Sequence, residues 1–404
     1  MIPEATLPRK NNDIEVLRAF AILYTIILHL RVLLDADSAL LVPLGYLDLS
    51  VGVDLFLVIS GFVITGSILE STRGAVTSRR PLMFSFWIKR IFRLLPAAWT
   101  WVAIACVAKL LVIALTDIPY RVQDILLASA AALGNVMNIY TPYCVANGGG
   151  HACIIDNFVG HYWSLSLEEQ FYLVFPFLFF FLNRKALVVL LAAAILVQFA
   201  WQRPFFTYAW YFKTDALSWG ILLCLLSRTE IYQRRLPAVF RWRYLTSALG
   251  LALLACLPII AANVQGIAWV MKPYGVGLVA LVCGAIVWLA SYDRNVFSTG
   301  SRYRRVMLYL GSRSYSLYLA HLVVFLTTRD LFRQFGQGFA DAAGPTVYTA
   351  TIILVAASLT LLGAELTYRR VESVLRARGR VIAARVVMNK NGIRPEERPR
   401  AALP

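Results

Sequence analysis

Apolar residues recur along the chain in long runs that are separated by polar or charged segments. A run of about 20 apolar residues forms a helix long enough to cross the hydrocarbon core of a bilayer. The pattern therefore predicts an all-α fold, a polytopic membrane helix bundle of about ten transmembrane helices. The candidate spans are 14–34, 50–69, 94–115, 163–182, 186–201, 209–227, 244–262, 274–290, 307–326 and 346–367.

One further apolar segment and the two ends of the chain complete the predicted organisation. Segment 124–140 is too short for a span, and we interpret it as a re-entrant or interfacial helix. Residues 1–13 are expected to form a cytoplasmic segment, and residues 14–370 a single membrane domain. Residues 371–404 are basic and are expected to form a disordered cytoplasmic tail.

Composition and charge agree with a membrane location. Hydrophobic residues make up 59% of the 404 positions and charged residues only 15%, compared with about a quarter in soluble domains. The net charge of +17 could indicate a nucleic-acid partner, but the cations cluster between apolar runs. Under the positive-inside rule these clusters mark cytoplasmic loops, so both termini are expected in the cytoplasm, and the excess charge would also attract anionic lipids. The basic segments are 73–90, 184–185, 228–243, 294–305 and the tail from 369.

The six cysteines fall into two groups. Cys144 and Cys153 lie in the loop 141–162, which the predicted topology places outside the inner membrane of a bacterium. An oxidising periplasm favours a disulfide between them, and the alternative is a fortuitous pair of free thiols. The other four lie in predicted spans and are expected to be small packing residues. These are Cys106, Cys224, Cys256 and Cys283.

Arg18 and His29 are two ionisable residues within the first predicted span. Eleven residues correspond to about three helical turns, so both side chains lie on one stripe about 16 Å apart. Ionisable residues inside a span usually mark a substrate or proton path. We interpret Arg18 as an anion-binding group and His29 as a general base. The alternative is that Arg18 extends to the membrane surface and His29 is a hydrogen-bonded packing residue.

Arg90 and Arg93 share a helix face at the start of the third predicted span. Two guanidinium groups so placed can bind phosphate oxygens in a bidentate manner. Anchors that follow the positive-inside rule have the same pattern, so the spacing alone leaves both interpretations open.

Acidic residues occur at two predicted span entrances. Asp54, in the run 52–62, lies about as deep as His29 and could be the carboxylate that orients it. Glu168 and Glu169 follow Ser164 and Ser166 at the start of the fourth span. They either complement a helix N-terminus after a serine cap or serve an outward-facing acceptor site.

A further imidazole, His321, lies in the segment 314–321 of the ninth span, and we interpret it as a hydrogen-bonded packing residue. The four histidines are dispersed and are not paired with cysteines, so no metal site is predicted. The sequence also has no P-loop, dinucleotide-binding fingerprint or nucleophile elbow.

Six motifs in this order resemble the membrane acyltransferase-3 family, whose members O-acylate cell-surface carbohydrates and some small molecules. The resemblance covers about residues 13–370. The motifs are Arg18 with His29, Arg90 with Arg93, GVDLFLVISGF at 52–62, WSLSLEEQFY at 163–172, Asp215-Ala216-Leu217 with Gly220, and the segment Ser314–His321.

The resemblance implies an O-acyltransferase that moves an acyl group, most simply acetyl, from cytoplasmic acyl-CoA to a hydroxyl of a surface carbohydrate such as an O-antigen or exopolysaccharide, free or lipid-linked. Arg18, Arg90 and Arg93 would bind the phosphates of acetyl-CoA, and His29 would be the base. Asp54, Glu168 or Glu169 would orient the acceptor. His29 would act either as a base or through a transient acyl-imidazole.

Many family members carry an extracytoplasmic hydrolase-like domain that we do not find in this sequence. We therefore expect either a stand-alone enzyme or one with a separate extracytoplasmic transferase partner. Acylation of a small molecule such as a macrolide on the cytoplasmic side is an alternative. A transporter is the main rival, although we see neither inverted halves nor matching broken helices in the sequence.

Overall fold

The structure is a computed structural model that describes residues 11–34, 38–72, 78–234, 236–266 and 273–390. All regular secondary structure in these ranges is helical. The α-helices are α1 Asn12–Leu30, α2 Leu41–Gly45, α3 Val51–Thr72, α4 Arg79–Leu115, α5 Val122–Leu133, α6 Met137–Ala146, α7 Gly150–Ile154, α8 Tyr162–Phe181, α9 Arg184–Phe199, α10 Thr214–Ser227, α11 Glu230–Arg234, α12 Arg243–Gly266, α13 Gly275–Ser291, α14 Ser301–Ser312, α15 Ser314–Phe335, α16 Gln337–Ala343, α17 Pro345–Thr367 and α18 Ser373–Lys390. Short 3₁₀ helices cover Arg31–Leu33 and Ala238–Arg241, and a π-helix covers Tyr368–Glu372.

Several of these helices match a membrane environment. Within the described ranges, five are long and apolar enough to cross a bilayer, and three shorter apolar helices accompany them. The protein is therefore a helical membrane protein. The five are Asn12–Leu33, Val51–Thr72, Arg79–Leu115, Arg243–Asn263 and Pro345–Met388, and the three are Val122–Leu133, Thr214–Ser227 and Gly275–Ser291.

Helix α1 lies in the middle of the bundle, where it packs against α3, α13, α14 and α15. The Asn11 side chain caps its N-terminus by accepting a hydrogen bond from the Ile14 amide at 2.9 Å. Val16, Leu17 and Ala19 in its first turns are fully buried. The helix that carries Arg18 and His29 is thus held on several sides, which fixes the direction of both side chains.

Two glycines allow α3 and α10 to pack very closely. A Cβ atom added to Gly220 would lie 2.0 Å from the Val58 carbonyl oxygen, and one added to Gly61 would lie 2.2 Å from the Leu217 oxygen. No side chain fits at either point, so the two backbones touch. The glycines at the ends of two sequence motifs therefore set the distance between these helices.

The structure corrects four predicted segments. The third span does not begin near residue 94, because α4 starts at Arg79 and carries Arg90 and Arg93 in its interior. Segment 124–140 is not one helix, because Gly134 and Asn135, whose φ is +52°, separate α5 from α6. The sixth span is shorter than expected, since residues 209–213 are not helical and α10 begins at Thr214.

The fourth correction concerns the ninth span, 307–326, which is interrupted. Helix α14 ends at Ser312 and α15 begins at Ser314. Gly311 lies close against α1, since a Cβ atom on it would lie 2.0 Å from the Glu15 carbonyl oxygen. The predicted span is thus divided between the basic α14 and α15.

The first part of the predicted disordered tail is helical. The π-helix and α18 continue α17 to Lys390, and α18 packs along α4. A Cβ atom on Gly379 would lie 2.5 Å from Cβ of Phe92, so this packing is close. The buried Glu372 accepts a hydrogen bond from the Ser316 hydroxyl at 2.8 Å. The expectation of disorder is therefore wrong for 371–390, and 391–404 lie outside the described residues.

Cys144 and Cys153 are joined by a disulfide, with Cα atoms 6.0 Å apart. The bond closes a short loop between α6 and α7. A Cβ atom on Gly149 would lie 2.1 Å from the Cys153 sulfur, so this position accepts no side chain. The bonded loop borders the cavity that contains His29.

Candidate functional site

His29 lies near the C-terminal end of α1 and contacts a second imidazole. Its Nδ1 atom is 2.8 Å from the Thr25 carbonyl oxygen and 3.3 Å from Nε2 of His321 on α15. The Nδ1 atom of His321 is 2.7 Å from the Tyr318 carbonyl oxygen. The two imidazoles thus form a chain of contacts that begins and ends at a backbone carbonyl.

These contacts assign the tautomer of both rings in their neutral form. A carbonyl oxygen only accepts hydrogen bonds, so the ring nitrogen beside each carbonyl carries the hydrogen. His29 Nδ1–H then donates to the Thr25 oxygen and to His321 Nε2, which has a lone pair. The Nε2 atom of His29 is left unprotonated, which is the state that a general base requires.

A third histidine, His161, extends this row of imidazoles. Its ring centroid lies 5.0 Å from that of His321, in an edge-to-face arrangement. Both ring nitrogens are buried without a hydrogen-bond partner in the described part of the protein. Sequence reasoning missed His161 and interpreted His321 as packing, although both lie in or beside motifs that it quoted. Neither motif indicated that the rings would meet His29.

His29 and His161 line a cavity of about 620 Å³, which we call the His29 cavity. Aromatic and aliphatic side chains form much of its wall, together with polar side chains such as Asp48, Ser50 and Thr141. A largely apolar wall with a few convergent polar groups is typical of a binding site for an organic molecule. The aromatic residues are Trp163, Phe205, Phe206, Trp210, Tyr211 and Tyr318.

A separate pocket of about 80 Å³, which we call the arginine pocket, is lined by Arg18, Arg90 and Arg93. The Arg18 guanidinium lies 3.3 Å from the Glu15 carboxylate. The Arg90 guanidinium lies 5.4 Å from the centre of the Tyr172 ring. The buried Nε atom of Arg93 has no hydrogen-bond partner among the described residues. Three cations around one small pocket favour an anionic ligand such as a phosphate.

Glu168 belongs to the arginine pocket. Its carboxylate accepts hydrogen bonds from the Ser60 hydroxyl at 3.1 Å and from the Tyr172 hydroxyl at 2.6 Å. Glu168 therefore lies with the arginines and is not among the residues that line the His29 cavity. Glu169 has one buried carboxylate oxygen without a hydrogen-bond partner in the described ranges.

The helix-cap interpretation of Glu168 and Glu169 is also wrong. Helix α8 begins at Tyr162 and has no acidic residue in its first turn. Ser164 and Ser166 lie inside the helix, where Ser166 accepts a hydrogen bond from the Met137 amide at 3.1 Å. Both glutamates are therefore beyond the exposed N–H groups of the helix start.

Asp54 does not orient His29. Its Oδ2 atom accepts a hydrogen bond from the Lys213 ammonium group at 2.9 Å, and both side chains are almost fully buried. Lys213 immediately precedes α10, and a second buried pair lies in the first turn of that helix. There Arg203 donates to both oxygens of Asp215 at 2.9 and 2.7 Å. Asp215 stood out in the sequence through its motif. No pattern in the sequence indicated Lys213 as the partner of Asp54 or Arg203 as the partner of Asp215.

In the described ranges, no group of three or more His, Cys, Asp or Glu side chains is placed to hold a metal ion. The two sites offer different side chains, an imidazole in the His29 cavity and three guanidinium groups in the other pocket.

Comparison of the sequence with known proteins places the chain in a family. A family model described as an acyltransferase domain, acyltransferase-3, matches residues 11–364. The peptidoglycan O-acetyltransferase OatA of Listeria monocytogenes is 27% identical over 346 residues, which is 81% of this chain and 51% of that protein. The O-acetyltransferase OatA of Staphylococcus aureus is 26% identical over 391 residues, which is 92% of this chain and 58% of that protein.

The chain thus spans about half the length of the curated relatives it matches. No solved structure is significantly similar to it. Because the family model covers most of the chain, the protein belongs to the acyltransferase-3 family.

Proposed function

We propose that the protein is an O-acetyltransferase that moves an acetyl group from cytoplasmic acetyl-CoA to a hydroxyl of a bacterial surface carbohydrate. The observation that carries this proposal is that His29, whose Nδ1 atom contacts two acceptors, lines one cavity while three arginines line a second pocket. The printed names of the relatives, peptidoglycan O-acetyltransferase and O-acetyltransferase, support acetyl transfer to a glycan.

The proposed topology is ten spans in the inner membrane with both termini in the cytoplasm. The basic segments between helices then face the cytoplasm, as the positive-inside rule requires. Arg18 lies in the first half of α1 and His29 near its end, so the arginine pocket is cytoplasmic and the His29 cavity periplasmic. The disulfide Cys144–Cys153 at the border of the His29 cavity fits an oxidising periplasm.

The arginine pocket is the proposed binding site for the phosphates of acetyl-CoA. Guanidinium groups bind phosphate oxygens through paired N–H donors, and a largely desolvated pocket strengthens each of these contacts. With the phosphates held there, the pantetheine arm extends into the bundle and carries the thioester toward His29.

The transfer step uses His29 as the base. Its Nε2 atom takes the proton of the acceptor hydroxyl while the oxygen attacks the thioester carbonyl carbon. The carbon–sulfur bond then breaks, an ester forms on the acceptor, and the CoA thiolate takes up the proton. The other route forms an acetyl-imidazole on His29 first and then transfers the acetyl group to the hydroxyl.

The aromatic walls of the His29 cavity fit a sugar acceptor, because aromatic rings pack against the C–H faces of sugars while polar groups bind the hydroxyls. His161 supplies unpartnered ring nitrogens at this wall. We propose that the acceptor is the glycan, lipid-linked or nascent, or a separate extracytoplasmic transferase that passes the acetyl group on.

Membrane vesicles with radiolabelled acetyl-CoA test the proposal. We expect label to enter lipid-linked saccharide or polysaccharide with the native protein, and to be lost in His29→Ala and in the double variant Arg90→Ala/Arg93→Ala. Arg302→Ala changes an exposed arginine of α14 and serves as the matched charge control. Equal labelling with and without the protein in the presence of its native glycan would overturn acetyl transfer and favour transport.

A further inference from the structure

Tyr318 on α15 is the residue shared by the arginine pocket and the His29 cavity. Only 7% of its surface is exposed. Its ring packs edge-on against Phe56 at 6.3 Å and against His161 at 5.2 Å. The side chain therefore forms part of the wall between the two sites.

The hydroxyl group of Tyr318 is bonded on both sides. It donates to the His161 carbonyl oxygen at 2.5 Å, and the Ser164 hydroxyl donates to it at 2.8 Å. Both partners lie at the start of α8, whereas Tyr318 belongs to α15. These two bonds join the helices at this wall and hold the phenol ring in place.

The two sites need a passage between them. Arg18 and His29 lie about 16 Å apart along α1, and Tyr318 is the lining residue that the two sites share. We propose that Tyr318 is the gate between the arginine pocket and the His29 cavity, and that its bonds to Ser164 and His161 keep it closed. This inference rests on the proposed function for its substrate, an acyl thioester on a flexible arm.

Closure of the gate protects the thioester donor from hydrolysis. Water in the His29 cavity would hydrolyse a thioester that waited beside an unprotonated imidazole, so exclusion of water preserves the donor. Entry of the pantetheine arm would displace the phenol ring, and the gate would close again when CoA leaves. Tyr318 is thus a positioning residue that decides between transfer to the acceptor and loss to water.

Thiol labelling measures the gate without any acetyl chemistry. Leu28, which lines the His29 cavity, is replaced in Leu28→Cys as a reporter. Inverted membrane vesicles are treated from the cytoplasmic face with a membrane-impermeant thiol reagent, and labelling of the chain without the reporter is subtracted. The reporter should be protected behind native Tyr318 and exposed in Tyr318→Ala.

Two conservative variants test the hydrogen bonds of Tyr318 without disturbing the fold. Ser164→Ala keeps the helix and loses one hydrogen bond, and it should raise the labelling rate about tenfold. Tyr318→Phe keeps the ring but loses both hydrogen bonds, and it should raise the rate further. Tyr315→Phe is the matched control, because Tyr315 donates to the Leu94 carbonyl at 2.8 Å and lines the arginine pocket but not the His29 cavity. The reporter in Tyr315→Phe should be labelled at the same rate as in the protein with both tyrosines native.

Equal labelling rates in all variants would overturn the gate. Hydrolysis of acetyl-CoA without acceptor is the second readout, and it should rise in Tyr318→Ala while transfer to the acceptor falls. A labelling change without any acetyl-CoA turnover would leave the gate in place and reject the proposed donor, so the two failures are distinguishable.

Discussion

The Nδ1 atom of His29 lies 3.3 Å from the Nε2 atom of His321, although 292 positions separate the two residues in the chain. The contact joins α1 to α15, and the Thr25 and Tyr318 carbonyls fix the outer ends of the pair. The hydrogen on His29 Nδ1 is thus shared by the Thr25 carbonyl and His321. We propose that His321 orients the His29 ring, as a second residue commonly does for a catalytic imidazole.

His321→Phe keeps a ring of similar size but removes one of the two acceptors of His29 Nδ1–H, leaving the Thr25 carbonyl. We expect kcat for acetyl transfer to fall about tenfold, the cost of one hydrogen bond, with an unchanged KM for the donor. His321→Gln retains an acceptor oxygen and should lose less. Steady-state kinetics of the purified protein measures this effect, and an unchanged kcat in a folded His321→Phe protein would contradict the orienting role.

Arg90→Lys and Arg93→Lys keep the charge of the arginine pocket but lose the paired donors of the guanidinium group. Each should raise the donor KM about tenfold and leave the acceptor KM unchanged, because a lysine holds phosphate by a single point of contact. The conservative control is Arg302→Lys on the exposed face of α14. A rise in the acceptor KM would instead place these arginines at the glycan.

Asp54→Asn removes the carboxylate that balances the buried Lys213 ammonium group. An unpaired buried charge costs about 3–5 kcal/mol, so the melting temperature in detergent should fall strongly. The double variant Asp54→Asn/Lys213→Met should recover part of this loss. A protein with native thermal stability and no activity would show that Asp54 has a chemical role after all.

Gly220→Ala places a methyl group against the Val58 carbonyl at the crossing of α3 and α10. Such overpacking costs about 1–3 kcal/mol and should lower the melting temperature. The control is Gly338→Ala in α16, where an added Cβ meets no atom within 4 Å. Equal melting temperatures for the two variants would mean that the close approach of α3 and α10 is not required.

Much of the helical framework could be predicted from the sequence, because the apolar character of a membrane helix is a local property. The predicted span 50–69 corresponds to Val51–Thr72, and 346–367 to Pro345–Thr367. The interruption at Arg313 was not predicted, since the predicted span 307–326 runs through it without a break. Residues 371–390 were missed because their helix packs on α4 rather than following a strong apolar pattern of its own.

The sequence predicted which residues belong to the candidate site but not which side chains contact each other. Arg18, Arg90 and Arg93 do line one pocket, and His29 lines another. Asp54 was assigned by its depth and Glu168 by its place at the start of a predicted span, and neither property tells which side of a helix faces which neighbour. Their real partners are Lys213 for Asp54 and Ser60 and Tyr172 for Glu168.

The sequence by itself determined that the chain is helical and apolar, where its cations cluster, and which ionisable residues lie inside it. These properties follow from composition and from spacing along one helix. The tertiary structure alone decided that His29, His321 and His161 form a row, and that Tyr318 stands between two cavities. Contacts between distant helices depend on how their surfaces pack, which the period of a single helix does not specify.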